Sequence, residues 1–317
     1  MENGSKAGQR QRVGLVGIGG IAQKVYLPLL SAHPGVELVG VVSRSEATVY
    51  QMIETYRLAQ GSTQLDDIAG WDVDAVFVHS PTPTHYDIVT RCLQLGLPVY
   101  VDKPLSYHME ESRRMAAMAE ERGLLLAVGF NRRFAPFYQK AKTWLAEAGG
   151  FDWCEAAKHR TGMQRSSARE TVYDDLIHML DLLLWLGGND YELLSRQLRQ
   201  HGNGAMLHAS GMLSLGRERY ASYSMARSAG TDLEKLSLHG SGRSAEVVNM
   251  ESLCLYEKDQ LPQYESFGSW DTILQRRGFA GVVDHFLNHL QTPEECSIRA
   301  DRVLSTHLLA EQLTAEL

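Results

Sequence analysis

Over the first 130 residues, short continuous apolar runs alternate with stretches whose apolar residues recur at helical spacing. This pattern predicts strands at Val13–Gly17, Val36–Ser43, Asp74–His79, Val99–Asp102 and Leu124–Gly129. Between them it predicts helices at Ile21–Ala32, Glu46–Gln60, Thr84–Gly96 and Met109–Arg122, the last ended by Gly123. Strands separated by single helices build βαβ units, and right-handed crossovers make their sheet parallel. The unbroken apolar run Leu124–Val128 fits a strand covered on both faces.

Beyond residue 130 the pattern changes. A helix (Pro136–Ala148) and a strand (Asp152–Arg160) lead through a loop into a strongly apolar helix, Val172–Leu186. Strand-like segments then follow at Leu193–Gln200, Met206–Leu215, Arg219–Arg227, Leu233–Gly240 and Ser244–Tyr256. Gly202-Asn203-Gly204 and Gly240-Ser241-Gly242 supply turns between them. Two helices close the chain, Phe279–Leu290 and Asp301–Glu316. The expected fold class is therefore α/β followed by α+β, with a largely antiparallel open sheet in the second part. The 317 residues divide as 1–125 and 126–317, with the C-terminal helices available to pack back on the first domain.

Composition narrows the function classes. With 44% hydrophobic and 22% charged residues and only 9 Pro, the chain is neither disordered nor collagen-like. A net charge of −7 argues against nucleic acid or an anionic membrane as the main partner. Cys92, Cys154, Cys254 and Cys296 are scattered without metal-ligand spacing, which reads as reduced, buried thiols in a cytoplasmic protein. No apolar run reaches the ~18 residues of a membrane helix, and the polar N-terminus has no leader pattern. His285 and His289 are spaced i, i+4 but lack a third ligand, so they read as a helix face and no metal is expected.

The first candidate chemistry is Gly17-Ile18-Gly19-Gly20-Ile21-Ala22, a GxGxxA string after a strand and before a helix. The first Gly permits the tight turn and the second lets the backbone approach a pyrophosphate. The small third residue lets the helix, with its N-terminal N–H groups, sit close to the strand. This predicts a Rossmann dinucleotide-binding domain. An acid at the end of the second strand would hold a free ribose 2′-hydroxyl; Ser43-Arg44-Ser45 stands there instead, which favours NADP over NAD. Glu46 is near enough to keep NAD open as the alternative.

Three further motifs follow in order: His79-Ser80-Pro81-Thr82-Pro83-Thr84-His85, Asp102-Lys103-Pro104, and Asp174 with His178 and Asp181. Lys103 closes a parallel strand, where open α/β sheets bind ligands, and a lysine there can donate to a substrate oxygen. Asp174, His178 and Asp181 share one face of an ideal helix, and imidazole suits acid/base work near neutral pH. Asp175 is a one-residue rival to Asp174.

Together these motifs resemble the glucose–fructose oxidoreductase / inositol 2-dehydrogenase (Gfo/Idh/MocA) family. AVFVHS, VDKPL and GFNRRFAP are similar to its MviM-type oxidoreductases. The resemblance implies NADP(H)- or NAD(H)-dependent hydride transfer on a sugar, inositol or other small polyhydroxy substrate, with Lys103, Asp174 and His178 catalytic. It implies a cofactor wall of Ser80, Pro81, Thr84, His85, Asp102 and Lys103 besides the glycine loop, Ser43 and Arg44. Asp102 stands where the family has Glu. Lys158, Arg160 and Tyr173 are candidate substrate contacts. Asn131, Arg132 and Arg133 either meet a polyhydroxy or anionic substrate or form interdomain salt bridges. The resemblance also implies a homodimer or homotetramer through the second-domain sheet. The alternatives are a non-catalytic nucleotide-binding sensor of the same fold, or an enzyme that retains its cofactor through an internal redox cycle.

Overall fold

The computed structural model describes residues 10–216 and 218–315. They form two compact units. One holds the chain up to Gly129 together with Asp284–Arg302; the other holds Phe130–Val283 and the chain from Val303 onward.

The first unit is built on six strands: β1 (Gln11–Val16), β2 (Val36–Val42), β3 (Gln60–Ser62), β4 (Ala75–Val78), β5 (Val99–Val101) and β6 (Leu126–Val128). Their order is β3-β2-β1-β4-β5-β6, and every neighbouring pair is parallel. All residues of β4, β5 and β6 are buried, as the unbroken apolar runs require. The helix after β2 is shorter than the sequence pattern predicts. It spans Glu46–Tyr56 and stops where Arg57 turns left-handed (φ 54°), freeing Gln60–Ser62 to pair at the sheet edge. The C-terminal segment completes this unit's core. Phe286 packs edge-on against Phe77 and Tyr100 at 5.3 and 5.5 Å, and the Val128 N–H donates to the Ile298 carbonyl at 2.9 Å.

The second unit carries eight strands: β7 (Trp153–His159), β8 (Glu192–Gln200), β9 (Met206–Ser214), β10 (Tyr220–Ala226), β11 (Leu233–Gly240), β12 (Arg243–Val248), β13 (Ser252–Glu257) and β14 (Gln263–Ser266). They lie in the order β14-β13-β12-β11-β7-β10-β9-β8. All neighbours are antiparallel except β7 and β10, which run parallel. The segment predicted as one strand, Ser244–Tyr256, is a hairpin, because Asn249 and Met250 both turn left-handed (φ 54° and 58°). Helices Pro136–Glu147 and Ile177–Gly187 cover part of this sheet. Strand β10 alternates buried and half-exposed residues, and Leu194, Met212 and Tyr220 remain exposed.

The apolar helix begins earlier than its hydrophobic pattern does. Ser167 caps it by accepting from the Glu170 N–H, while the Glu170 carboxylate accepts from the Ser167 N–H, a reciprocal box that starts the helix at Ala168. Val172–Leu176 then form a wide π turn before regular helix resumes at Ile177–Gly187. A second π turn, Ala22–Tyr26, interrupts the helix after β1.

Candidate nucleotide cavity and catalytic side chains

A cavity of about 380 Å³ opens at the carboxyl ends of β1, β2 and β4, where the strand order reverses direction, and Thr63 and Leu65 after β3 add to its wall. Volume and placement suit a nucleotide. Gly17 makes its floor. The residue sits at φ +90°, and a Cβ there would lie 2.4 Å from the Ser80 nitrogen, so neither conformation nor space admits another residue. At Gly20, by contrast, an added Cβ would meet nothing within 4 Å, and at Gly19 only the His79 carbonyl at 3.7 Å. The loop is therefore tight against the protein on one side and open on the other, as close approach of a pyrophosphate needs. Gly20 and Ile21 begin the helix, and Ala22 is fully buried.

Ser43 and Arg44 line the cavity at the end of β2. Ser45 caps the next helix through the Thr48 N–H (3.3 Å), and Glu46 lies in that helix's first turn, outside the cavity wall. Among the described residues no acid occupies the wall itself, and the donor set fits a dinucleotide phosphate.

Ser80, Pro81 and Thr84 form the opposite wall, fixed by Thr84 Oγ1 donating to Pro81 O (2.7 Å) and to Ser80 Oγ (2.9 Å). His85 does not line this wall. It is buried, with Nδ1 and Nε2 each 2.9 Å from a carbonyl, those of Pro104 and Ser80, so it ties the loop after β4 to the loop after β5. The residue that does reach the cavity is His79, stacked on Tyr26 with ring centroids 3.7 Å apart. Its Nδ1 is 3.7 Å from Asp102 Oδ2, and burial holds its pKa below the ordinary value despite that carboxylate. Asp102 accepts from the Lys103 N–H at 2.8 Å. Burial pushes its carboxyl up, but His79, Lys103 and His85 outweigh burial and hold it below the usual range. The shorter acid thus has local partners of its own. Lys103 is half-buried, followed by a cis peptide bond to Pro104.

In the second unit, a π turn precedes the regular helix. The turn holds Asp174 and Asp175, and His178 follows it. Asp174 is half-buried and His178 is buried in the first regular turn. Asp181 is locked in a bidentate pair with Arg133 (2.5 and 2.8 Å) and also accepts from Thr306 (3.2 Å). It is a structural carboxylate. Tyr173 is fully buried, with the Arg169 guanidinium 5.2 Å over its ring, and burial raises its phenol to about 12.

The basic candidates form pairs inside this unit. Arg132 makes a bidentate pair with Glu234 at 2.7 and 2.9 Å, and Asn131 donates to the Arg277 carbonyl at 2.7 Å. Lys158 lies 2.6 Å from Asp175 and 3.6 Å from Glu234, while Arg227 lies 2.5 Å from Asp175. Arg160 is half-buried, 3.5 Å from Asp175. Burial, aided by Arg132, pulls Lys158 down to about 8 against the two carboxylates. Burial raises Glu234, but Arg132 and Lys158 prevail and hold it near pKa 2.

Comparison with known proteins supplies the family. Residues 11–130 match the description "Oxidoreductase family, NAD-binding Rossmann fold", and residues 136–258 match "YceM-like, C-terminal domain". The chain is 36% identical to YceM, a provisionally named oxidoreductase of Salmonella typhimurium strain LT2, over 92% of its own length and 95% of the relative's. The chain belongs to the Gfo/Idh/MocA family of oxidoreductases. Among solved structures, a dehydrogenase (MviM) from Clostridium difficile superposes with a TM-score of 0.91 at 29% identity, covering 98% of this chain and all of that one. The scyllo-inositol 2-dehydrogenase (NAD(+)) of Bacillus subtilis is 25% identical, over 76% of this chain and 72% of its own. The match to the NAD-binding Rossmann description covers the strands and loops that line the cavity described above. His79, Arg227 and Glu234 are the additions that sequence reading had not singled out as site residues.

Proposed function

We propose that this protein interconverts a secondary alcohol and a ketone on a small polyhydroxy compound of the sugar or inositol type, with NADP(H) as its dinucleotide. The observation that carries the cofactor reading is the cavity wall at the end of β2, where Ser43 and Arg44 stand in place of an acid. Gly17, Gly19 and Gly20 would lie along the pyrophosphate, and Ser43 and Arg44 would take the 2′-phosphate. When bound, the dinucleotide accepts or supplies the hydride.

The chain's own residues then manage the proton. His178 takes the hydroxyl proton during oxidation and returns it during reduction. Lys103 donates to a substrate oxygen, which lowers the cost of developing negative charge there. Asp174 orients the imidazole. Lys103→Met or His178→Ala is expected to lower turnover by about 10²-fold or more while NADPH still binds. Near-normal turnover in either variant would remove the assignment.

The exposed Leu194, Met212 and Tyr220 on the second-unit sheet support self-association as a dimer or tetramer, which light scattering reads directly; a monomer discounts it. Four buried, unbridged thiols support a cytoplasmic location, and mature protein recovered with disulfides would count against it.

A further inference from the structure

Four cations in the second unit converge on two buried carboxylates. Glu234 is taken up by the bidentate Arg132 and by the Tyr138 hydroxyl at 3.2 Å, with Lys158 at 3.6 Å. Asp175 is left to serve Lys158, Arg227 and Arg160 at 2.6, 2.5 and 3.5 Å. The third carboxylate in reach, Asp232, is 57% exposed and 3.6 Å from Arg160. Buried positive charge in excess of its partners is costly unless something else compensates it.

The uncommitted donors are concentrated on two residues. Arg227 is 5% exposed, gives one terminal nitrogen to Asp175, and has a buried Nε with no hydrogen-bond partner among the described residues. Among the described residues the Arg160 side chain makes only the two long contacts already given, and it is 28% exposed, so it is open to a ligand. Their adjacency follows from topology. Strands β7 and β10 are parallel neighbours, so their carboxyl ends coincide; Arg160 follows the first and Arg227 the second. The Arg160 N–H donates to the Ala226 carbonyl at 2.8 Å, which fixes the two side by side.

We infer that Arg160 and Arg227, with Lys158 behind them, recognise an acidic group on the substrate, either a carboxylate or a phosphate monoester. This specifies the substrate class of the proposed oxidoreductase and rests on that reading. Planar guanidinium forks match both anions, and buried donors that stay unpaired discriminate strongly against an analogue lacking the partner group. A neutral polyol leaves the surplus charge uncompensated.

Isothermal titration of the full chain, saturated with NADPH, tests this with three probes that share one ring: D-glucose, D-glucuronate and D-glucose 6-phosphate. At least one acid is expected to bind about tenfold or more tightly than glucose. Preference for glucuronate assigns a carboxylate; preference for the phosphate assigns a monoester. Arg160→Gln and Arg227→Leu should each weaken that binding by about tenfold while NADPH affinity is unchanged. The half-exposed Arg160 keeps the test usable if the Arg227 variant fails to fold. Failure of both acids to outbind glucose, or undiminished acid binding in Arg160→Gln, overturns the inference. Turnover separates the two proposals. NADPH-dependent reduction of neutral ketoses without acid binding leaves the function and removes the anion site. Acid binding without turnover of any ketone removes the function and leaves the site.

Discussion

Gly17 combines two constraints that are usually met singly, a left-handed φ of +90° and a backbone neighbour 2.4 Å from where a Cβ would stand. Replacing it requires the loop after β1 and the loop after β4 to separate, and both are cavity walls. Gly17→Ala is therefore expected to abolish dinucleotide binding and to cost about 1–3 kcal/mol of stability. Arg44→Ala should instead leave the fold untouched and shrink the thermal shift given by NADPH relative to that given by NADH. A wild-type protein stabilised more by NADH than by NADPH would remove the role assigned to Ser43 and Arg44. The glycine loop, Ser43, Arg44, Ser80, Pro81 and Thr84 were all legible because each belongs to a local motif. His79 opens the same motif, but its place in the wall, stacked on Tyr26 53 positions earlier in sequence, could not be read from it. His85 reads as a cofactor residue by motif, yet its ring is committed to two carbonyls.

Among the elements, length decided what could be read. β1, β2 and β4 announce themselves by apolar runs, whereas Gln60-Gly61-Ser62 has no apolar residue and pairs only because the preceding helix stops at Tyr56. Missing that edge strand also hid Thr63 and Leu65, which follow it into the cavity wall. The π turn at Val172–Leu176 is equally silent in the hydrophobic pattern, and helical spacing could not show that Asp175 anchors three cations from β7 and the ends of β7 and β10, residues distant in sequence. The sheet strands that carry this cluster make a pH prediction. Glu234 is held near pKa 2 in the folded chain, below its ordinary 4.5, so its stabilisation is complete above pH 4.5 and is lost as pH falls toward 2. Up to about 3 kcal/mol is at stake. Glu234→Gln is expected to lower stability by about 3–5 kcal/mol at pH 7 and to flatten that acid limb in thermal melts. An acid limb as steep as that of the wild type would show that Glu234 does not control it.

For the whole molecule, the first unit is not a continuous stretch of chain. The sequence boundary at residue 125 lies close to the end of its sheet, but Asp284–Arg302 also belongs to that unit. Hydrophobic periodicity identifies the late helix and says nothing about which sheet it covers. Phe286 is fully buried against Phe77 and Tyr100. Phe286→Ala should cost about 3–5 kcal/mol and weaken NADPH binding although the residue lies outside the cavity wall. Loss of stability within 1 kcal/mol of zero would mean that the segment is dispensable.

That discontinuity also bears on how the protein is made. The six strands of the first sheet leave the ribosome complete by Val128, while Phe286 and Ile298 follow only after the whole second sheet. At about 5–20 residues per second, the intervening chain takes roughly 8–30 s to synthesise. Throughout that interval the apolar surface of Phe77 and Tyr100 that Phe286 covers in the finished protein lacks its partner.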